Sequence, residues 1–239
     1  METLDYSYKD DRGFNQIFKP SYATDKRLER RADYIISQFN SPGECDVLEI
    51  GCGIGIMANM IANKTKAKVL GVDLCVPFIE EAKGKYSNPN LSFEVLDFNK
   101  VEDFLHKQFD YIVGNGILHH LYYHLDEALI NIKRLLKPGG KMIFLEPNVY
   151  NPYVSLIFRN DYFRKKAALE PTEMAFSRGF INKKLVQAGY HNIKVEYKDF
   201  LLPGIPKPFV KPSIVIGAIA ERTPLLKKMS QSIYISAES

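Results

Sequence analysis

Val47-Leu48-Glu49-Ile50-Gly51-Cys52-Gly53-Ile54-Gly55 is the stretch that decides the fold. An apolar run short enough for a buried strand passes into three glycines at alternate positions and then into a helical pattern. A ligand can approach the backbone closely only where Cβ atoms are absent, and the start of the following helix offers unpaired N–H groups. The stretch therefore reads as a nucleotide-type binding turn. A dinucleotide fingerprint would need a small residue at position 56, where Ile56 stands, so a cofactor bearing a pyrophosphate fits poorly.

Outward from this turn the chain alternates short apolar runs with longer helical patterns. Strands are predicted at Asp46–Ile50, Lys68–Asp73, Leu91–Leu96, Phe109–Val113 and Lys141–Glu146, with helices near Ile54–Asn63, Val76–Tyr86 and Tyr123–Leu136 and a short one at Val101–Leu105. Pro138-Gly139-Gly140 is expected to end the long helix and turn the chain into its next strand. Ahead of this core, Asp25 to Phe39 carries Leu28, Ala32, Ile35, Ile36 and Phe39 on one side, an amphipathic helix closed by Ser41-Pro42-Gly43 and expected at the sheet edge or over its ligand end. Behind it, Ser177 is placed to cap a helix through Ala188, and strands follow at Asn192–Leu201 and Gln231–Ala237. The fold class is α/β: a doubly wound, mostly parallel seven-stranded sheet with helices on both faces.

The 239 residues suit one domain, with 1–43 as a helical cap, 44–150 as the ligand-binding core and 151–239 as a further part. With 46% apolar and 25% charged residues the composition excludes disordered, collagenous and coiled-coil chains. A net charge of +4, spread along the chain, gives no basis for a nucleic-acid partner. Cys45, Cys52 and Cys75 show neither a disulfide framework nor zinc spacing, which points to a reducing, cytoplasmic setting and names no metal. Met1 to Asp11 is too acidic for a secretory signal, and no apolar run approaches ~20 residues, so nothing spans a bilayer.

The next two strand ends add chemistry. Asp73 can accept two hydrogen bonds from a ribose diol, with Leu74 beside it as an apolar surface for an adenine. Asp97 is placed to meet an exocyclic amine, with Phe98 to pack the ring. Together these residues resemble the class I S-adenosylmethionine-dependent methyltransferases. Glu49 to Gly55 is similar to that family's acidic residue, x, Gly-x-Gly-x-Gly; Asp73 and Asp97 match its ribose and adenine acids, Phe109-Asp110-Tyr111-Ile112-Val113 its fourth strand, and Leu136-Lys137-Pro138-Gly139-Gly140-Lys141 its entry to the fifth. The match runs from about Asp46 to Asn148. The resemblance implies S-adenosylmethionine as methyl donor, with Glu49 and Gly51 near its methionine half and Asn115 at the methyl-transfer end. More loosely, the C-terminal part resembles enzymes acting on small molecules and on lipid-linked or polysaccharide precursors, with quinone-pathway enzymes as relatives of the core.

After the fourth strand comes Asn115-Gly116-Ile117-Leu118-His119-His120. A neutral imidazole near an acceptor hydroxyl can take its proton, and His119 is the candidate base, while His120 reads as a cap for the turn. Glu146 can face the acceptor or serve a cap or salt bridge. The acceptor pocket is expected between Tyr22, Asn115 to His119, and Glu146 to Tyr150. The insertion Pro203–Met229, with its apolar run Ile214–Ala220 among Lys207, Lys211, Arg222, Lys227 and Lys228, is expected to form an apolar lid or a membrane-contacting docking surface, against the plainer reading of a helix packed on the core. Two other functions stand beside methyl transfer to a small-molecule or lipid-linked acceptor. A non-catalytic S-adenosylmethionine-binding module would share the fold. A nicotinamide oxidoreductase is disfavoured by Ile56. No Asn-Pro-Pro-aromatic motif supports nucleic-acid methylation.

Overall fold

The computed structural model describes residues 21–40, 43–98, 100–167, 169–170 and 172–239. The acidic start Met1 to Asp11 and the Ser41-Pro42 helix stop lie outside the described residues. In chain order the elements are α1 (Tyr22–Ser37), β1 (Asp46–Ile50), α2 (Ile56–Lys64), β2 (Lys68–Asp73), α3 (Val76–Lys85), β3 (Leu91–Val95), β4 (Phe109–Asn115), α4 (Leu125–Leu135), β5 (Leu136–Pro147), α5 (Pro152–Arg159), α6 (Asp161–Lys166), α7 (Arg178–Gln187), β6 (His191–Lys198), α8 (Lys207–Arg222) and β7 (Ser232–Glu238). They build one seven-stranded sheet in the order β3-β2-β1-β4-β5-β7-β6. The first five strands run parallel, and β7 lies antiparallel to both β5 and β6.

Each face of the sheet has its own core. On one, Leu129, Ile132 and Leu135 of α4 and Ile181 and Leu185 of α7 pack on Leu48, Ile112, Phe144 and Ile235. On the other, Ala32 and Ile35 of α1 and Met57, Ala58 and Ile61 of α2 cover Val47, Val69, Val113 and Ile143. Near-continuous apolar strands such as β1 are what a sheet buried on both faces requires. Helix α1 thus lies on a sheet face, with Phe39 stacked on Tyr111 at a 4.1 Å centroid distance, rather than at the edge. Its start is fixed by Ser21, whose hydroxyl accepts from the Thr24 N–H.

Two segments differ from the sequence expectation, and a third takes the plainer of its two expected forms. Pro138-Gly139-Gly140 does not sit outside the sheet: β5 begins at Leu136, and the register jumps from Phe109↔Leu136 to Tyr111↔Lys141, so the motif is a bulge within the strand. A Cβ on Gly140 would stand 2.9 Å from the Lys137 carbonyl oxygen, and the chain uses glycine where two backbones approach. Residues 152–166 form two short helices, capped by Asn151 and Asn160. The insertion 203–229 folds mainly as α8, with Pro208 in its first turn and Pro212 inside it.

Helix α8 packs through Val210, Gly217 and Ala220, and Gly217 lets the Phe200 side chain approach where a Cβ would stand 2.9 Å away. The helix does pack on the body of the protein. Its other side leaves Phe209, Val215, Ile216 and Ile219 more than 60% exposed.

Candidate active site

The carboxyl ends of β1, β2 and β4 converge on the glycine turn. Three glycines there adopt positive φ, but for different reasons. A Cβ on Gly51 would stand 2.6 Å from Ile117 Cδ1, and one on Gly55 2.5 Å from Phe93 Cζ. Those two positions are filled by the protein itself. At Gly53, with φ +52°, a Cβ would meet nothing within 4 Å. Of the three, Gly53 alone keeps the open approach that all were expected to provide. Gly55 also begins α2, whose first N–H groups follow it without a side-chain cap.

Asp73 ends β2. Its Oδ2 accepts from the Gly53 N–H at 2.8 Å and its Oδ1 from the Cys75 N–H at 2.9 Å, so the carboxylate shapes the glycine turn and keeps further lone pairs for a ligand. Burial pushes its pKa up, and these N–H groups pull part of the way back. Glu49, on β1, is 2% exposed, and its Oε2 has no hydrogen-bond partner. Burial raises that carboxyl well above its usual range, the Ala58 N–H opposes the shift, and the neighbouring Asp73 adds to it. Leu74 and Asp97 are half-buried beside these strand ends, Asp97 3.8 Å from the Lys100 ammonium. Phe98 is buried in the core with Leu70 and Val72.

At the end of β4, the Asn115 Oδ1 accepts from Arg31 Nη1 at 2.6 Å. Arg31 also donates to Asp199 and Ser232, and Arg27 donates to the same Asp199 Oδ2 at 2.7 Å. Two guanidiniums thus share one buried carboxylate. Burial pushes the Asp199 pKa up, but Arg27 and Arg31 outweigh it and hold the group below its usual value. The expected sites did not include Arg27, Arg31 or Asp199. The partners stand 168 and 172 residues apart, and no local pattern marks the pairing.

His119 is 2% exposed, a buried side chain rather than an exposed acceptor wall. Its Nδ1 lies 2.9 Å from Glu146 Oε2. Glu146 is itself fully buried and accepts from the backbone N–H groups of Ile117, Leu118 and His119. It hangs the loop after β4 from β5 and is an anchor of that loop rather than an exposed acceptor-facing group. His120 turns to Glu173, with Nδ1 3.1 Å from Oε1. Burial lowers the His120 pKa, but the Glu173 carboxylate more than offsets this and holds it above its usual value. Glu173 is the other residue that sequence reading did not single out. Of the expected acceptor wall, Leu118, His119, Glu146 and Asn148 are buried, while Tyr22 and Tyr150 are exposed and Asn115, Gly116 and Ile117 half-buried.

An open glycine turn with an acid at the end of the neighbouring strand, at the carboxyl edge of a sheet ordered 3-2-1-4-5-7-6, is a Rossmann-like arrangement. Residues 47–140 match the family model described as a methyltransferase domain, and the fold is shared with solved S-adenosylmethionine-dependent methyltransferases. It is 29% identical over 144 residues to a ubiquinone/menaquinone biosynthesis C-methyltransferase of Desulfotalea psychrophila, a match covering 56% of this chain and 55% of that one. It is 31% identical to a ubiquinone biosynthesis O-methyltransferase of Histophilus somni, covering 63% of this chain and 64% of the relative. A solved S-adenosylmethionine-dependent methyltransferase from Archaeoglobus fulgidus superposes with a TM-score of 0.66 at 18% identity, over 97% of this chain and all of that one. The matched stretch thus spans between about half and two thirds of these curated relatives.

The residues present fit S-adenosylmethionine. An orphaned carboxylate oxygen on Glu49 calls for a donor such as an ammonium, the open face at Gly53 admits a ligand against the backbone, and Asp73 can accept from a diol. Among the described residues no helix is long and apolar enough to cross a membrane.

Proposed function

We propose that this chain transfers a methyl group from S-adenosylmethionine to a small-molecule acceptor. The observation that carries the reading is the buried, donor-seeking Glu49 carboxylate beside the open Gly53 turn and Asp73. Glu49 and the open turn at Gly53 hold the methionine half, with Gly51 packed on Ile117 to shape that turn, Asp73 holds the ribose, and Leu74 and Asp97 the adenine end, with Phe98 as apolar backing from the core. Asn115, its amide fixed by Arg31, borders the methyl-transfer end. Bound S-adenosylmethionine supplies a methyl group already activated on a sulfonium. The chain has then to align the acceptor and exclude water, effects worth up to ~7–11 kcal/mol when alignment is ideal. His119 takes the acceptor's proton on Nε2, while Glu146 holds Nδ1 and fixes the ring.

The surface around α8 lends support to one class of acceptor. Phe209, Ile216 and Ile219 stand exposed on the helix and Leu225 and Leu226 just beyond it, with Lys207, Lys211, Lys227 and Lys228 among them. An apolar face fringed by lysines suits an apolar or lipid-linked acceptor met at an anionic membrane surface. Three cysteines without a disulfide suit a cytoplasmic setting.

The test is incubation of the protein with isotopically labelled S-adenosylmethionine and cell extract, read by mass spectrometry. A labelled product supports methyl transfer and identifies the acceptor. Cofactor binding with no labelled product across extracts would favour a non-catalytic module. Two variants examine the residues. Asp73→Ala should weaken S-adenosylhomocysteine by ~1.5–3 kcal/mol, the scale of hydrogen bonds to a charged group, and unchanged affinity in calorimetry would remove Asp73 from the site. His119→Ala should lower kcat by ~10²–10⁴-fold with cofactor affinity unchanged. Parallel loss of both would show instead a collapsed loop.

A further inference from the structure

Beside the cofactor turn, His119, His120 and Glu173 converge so that one ligand atom from each lies within 4.8 Å of the others. Glu173 is 1% exposed, its Oε1 pairs with His120, and its Oε2 has no hydrogen-bond partner. A carboxylate oxygen buried without a donor is costly, and a cation is what would satisfy it. His119 Nε2 stands 4.0 Å from this same oxygen.

We propose that this cluster binds a divalent transition-metal cation of the zinc type, through His119 Nε2, His120 Nδ1 and the Glu173 carboxylate. Two imidazoles and a carboxylate are the donor set of open zinc sites, with a fourth position left for water or a ligand. A tetrahedral ion with bonds of ~2.0–2.1 Å places its ligand atoms about 3.3 Å apart. His120 Nδ1 stands 3.1 Å from Glu173 Oε1 and His119 Nε2 4.0 Å from Glu173 Oε2, so side-chain rotation within a cluster already spanning less than 4.8 Å brings the three ligands to that spacing.

The surroundings are those of a held site. Glu146 on His119 Nδ1 leaves Nε2 as the metal-facing nitrogen, an arrangement in which the outer carboxylate both orients the imidazole and strengthens it as a donor. The segment bearing Glu173 is fastened on two sides. The Met174 N–H donates to the His119 carbonyl oxygen, and Arg164 clasps the carbonyl oxygens of Phe158, Glu170 and Glu173. His120, the partly exposed member, provides the side by which an ion enters. The site rests on its own geometry, but it uses the His119 Nε2 that takes the acceptor's proton in methyl transfer, so ion binding and proton removal are alternative states of that nitrogen.

Metal-free protein dialysed against micromolar Zn²⁺ should take up one equivalent, and Co²⁺ in its place should give the visible absorption of a four-coordinate site. His120→Ala and Glu173→Gln should each weaken uptake by ~tenfold or more, and Glu146→Gln by ~10–100-fold. Absence of uptake would overturn the proposal. So would uptake undiminished in both ligand variants, which would place the ion elsewhere, on the cysteines for instance. Should Glu173→Gln fold poorly, His120→Ala decides, because that side chain is at the surface of the cluster. Uptake by a protein whose metal-free form transfers no methyl group leaves the site standing and removes the functional reading, and methyl transfer without uptake does the reverse.

Discussion

Replacing Asp199 with Asn should destabilise the protein by ~3–5 kcal/mol, the usual cost of removing one partner from a buried ion pair. Arg27 and Arg31, with side chains 17% and 9% exposed, would be left without their counter-charge. Asp199 sits at φ +74°, a left-handed conformation that Asn tolerates equally well, so backbone strain does not enter the comparison. For a chain of this size the loss corresponds to a fall in Tm of roughly 6–20 °C. The pH dependence has a definite sign. A carboxyl held below its unfolded value of about 3.9 contributes stability that is present above that pH and is lost as pH falls through the folded value. The advantage of the wild type over Asp199→Asn, measured by urea unfolding, should be flat between pH 7 and 5 and shrink below about pH 4. An advantage that is already fading between pH 7 and 5 would assign the stabilisation to another group.

Gly53→Val should abolish cofactor binding while sparing most of the fold. Space beyond this residue is open, so a side chain there fills room meant for a ligand. At least ~30-fold weaker S-adenosylhomocysteine binding is expected, against a stability loss of only the left-handed strain, ~1–2 kcal/mol. Gly55→Val should behave in the opposite proportion. Its Cβ would run into the Phe93 ring and Ala82 in addition to the strain, so thermal unfolding should fall further than in Gly53→Val. If calorimetry found normal binding to folded Gly53→Val, the open face would not be a ligand face.

How much of this could be read in the sequence depended on the range of the interactions. The bounds of β1 and β2 follow from apolar runs cut by glycine and aspartate, and Ser177 caps α7 because an N-cap is a local device. Gly53, Asp73 and Asp97 were placed by the same local logic, each at a strand end. The bulge at Pro138-Gly139-Gly140 has the sequence of a turn because those residues favour both, and only strand pairing separates the two. Segment 151–166 went unassigned although Asn151-Pro152 and Asn160-Asp161 carry the cap signals that start its helices. The proline-rich insertion can still be read as a packed helix because Pro208 falls where its missing N–H costs nothing. Pairings such as Arg31 with Asp199 and His120 with Glu173 are made by tertiary packing alone, and no spacing rule reaches them.

One feature of the sheet bears on how the chain can be synthesised. Strand β7 follows β6 in sequence yet lies between β5 and β6, and β6 pairs with β7 alone. The parallel half, β1 to β5 with the cofactor turn, can therefore assemble as soon as it leaves the ribosome, since every pairing it needs precedes residue 148. Strand β6 emerges with no neighbour waiting. It stays an unpaired edge through the synthesis of the whole 199–231 segment, and β5 keeps one side open for the same interval. Translation speed across α8 then sets how long two sticky edges coexist on a growing chain. Slow decoding there favours capture by chaperones or by neighbouring chains, and fast decoding favours closure of the sheet.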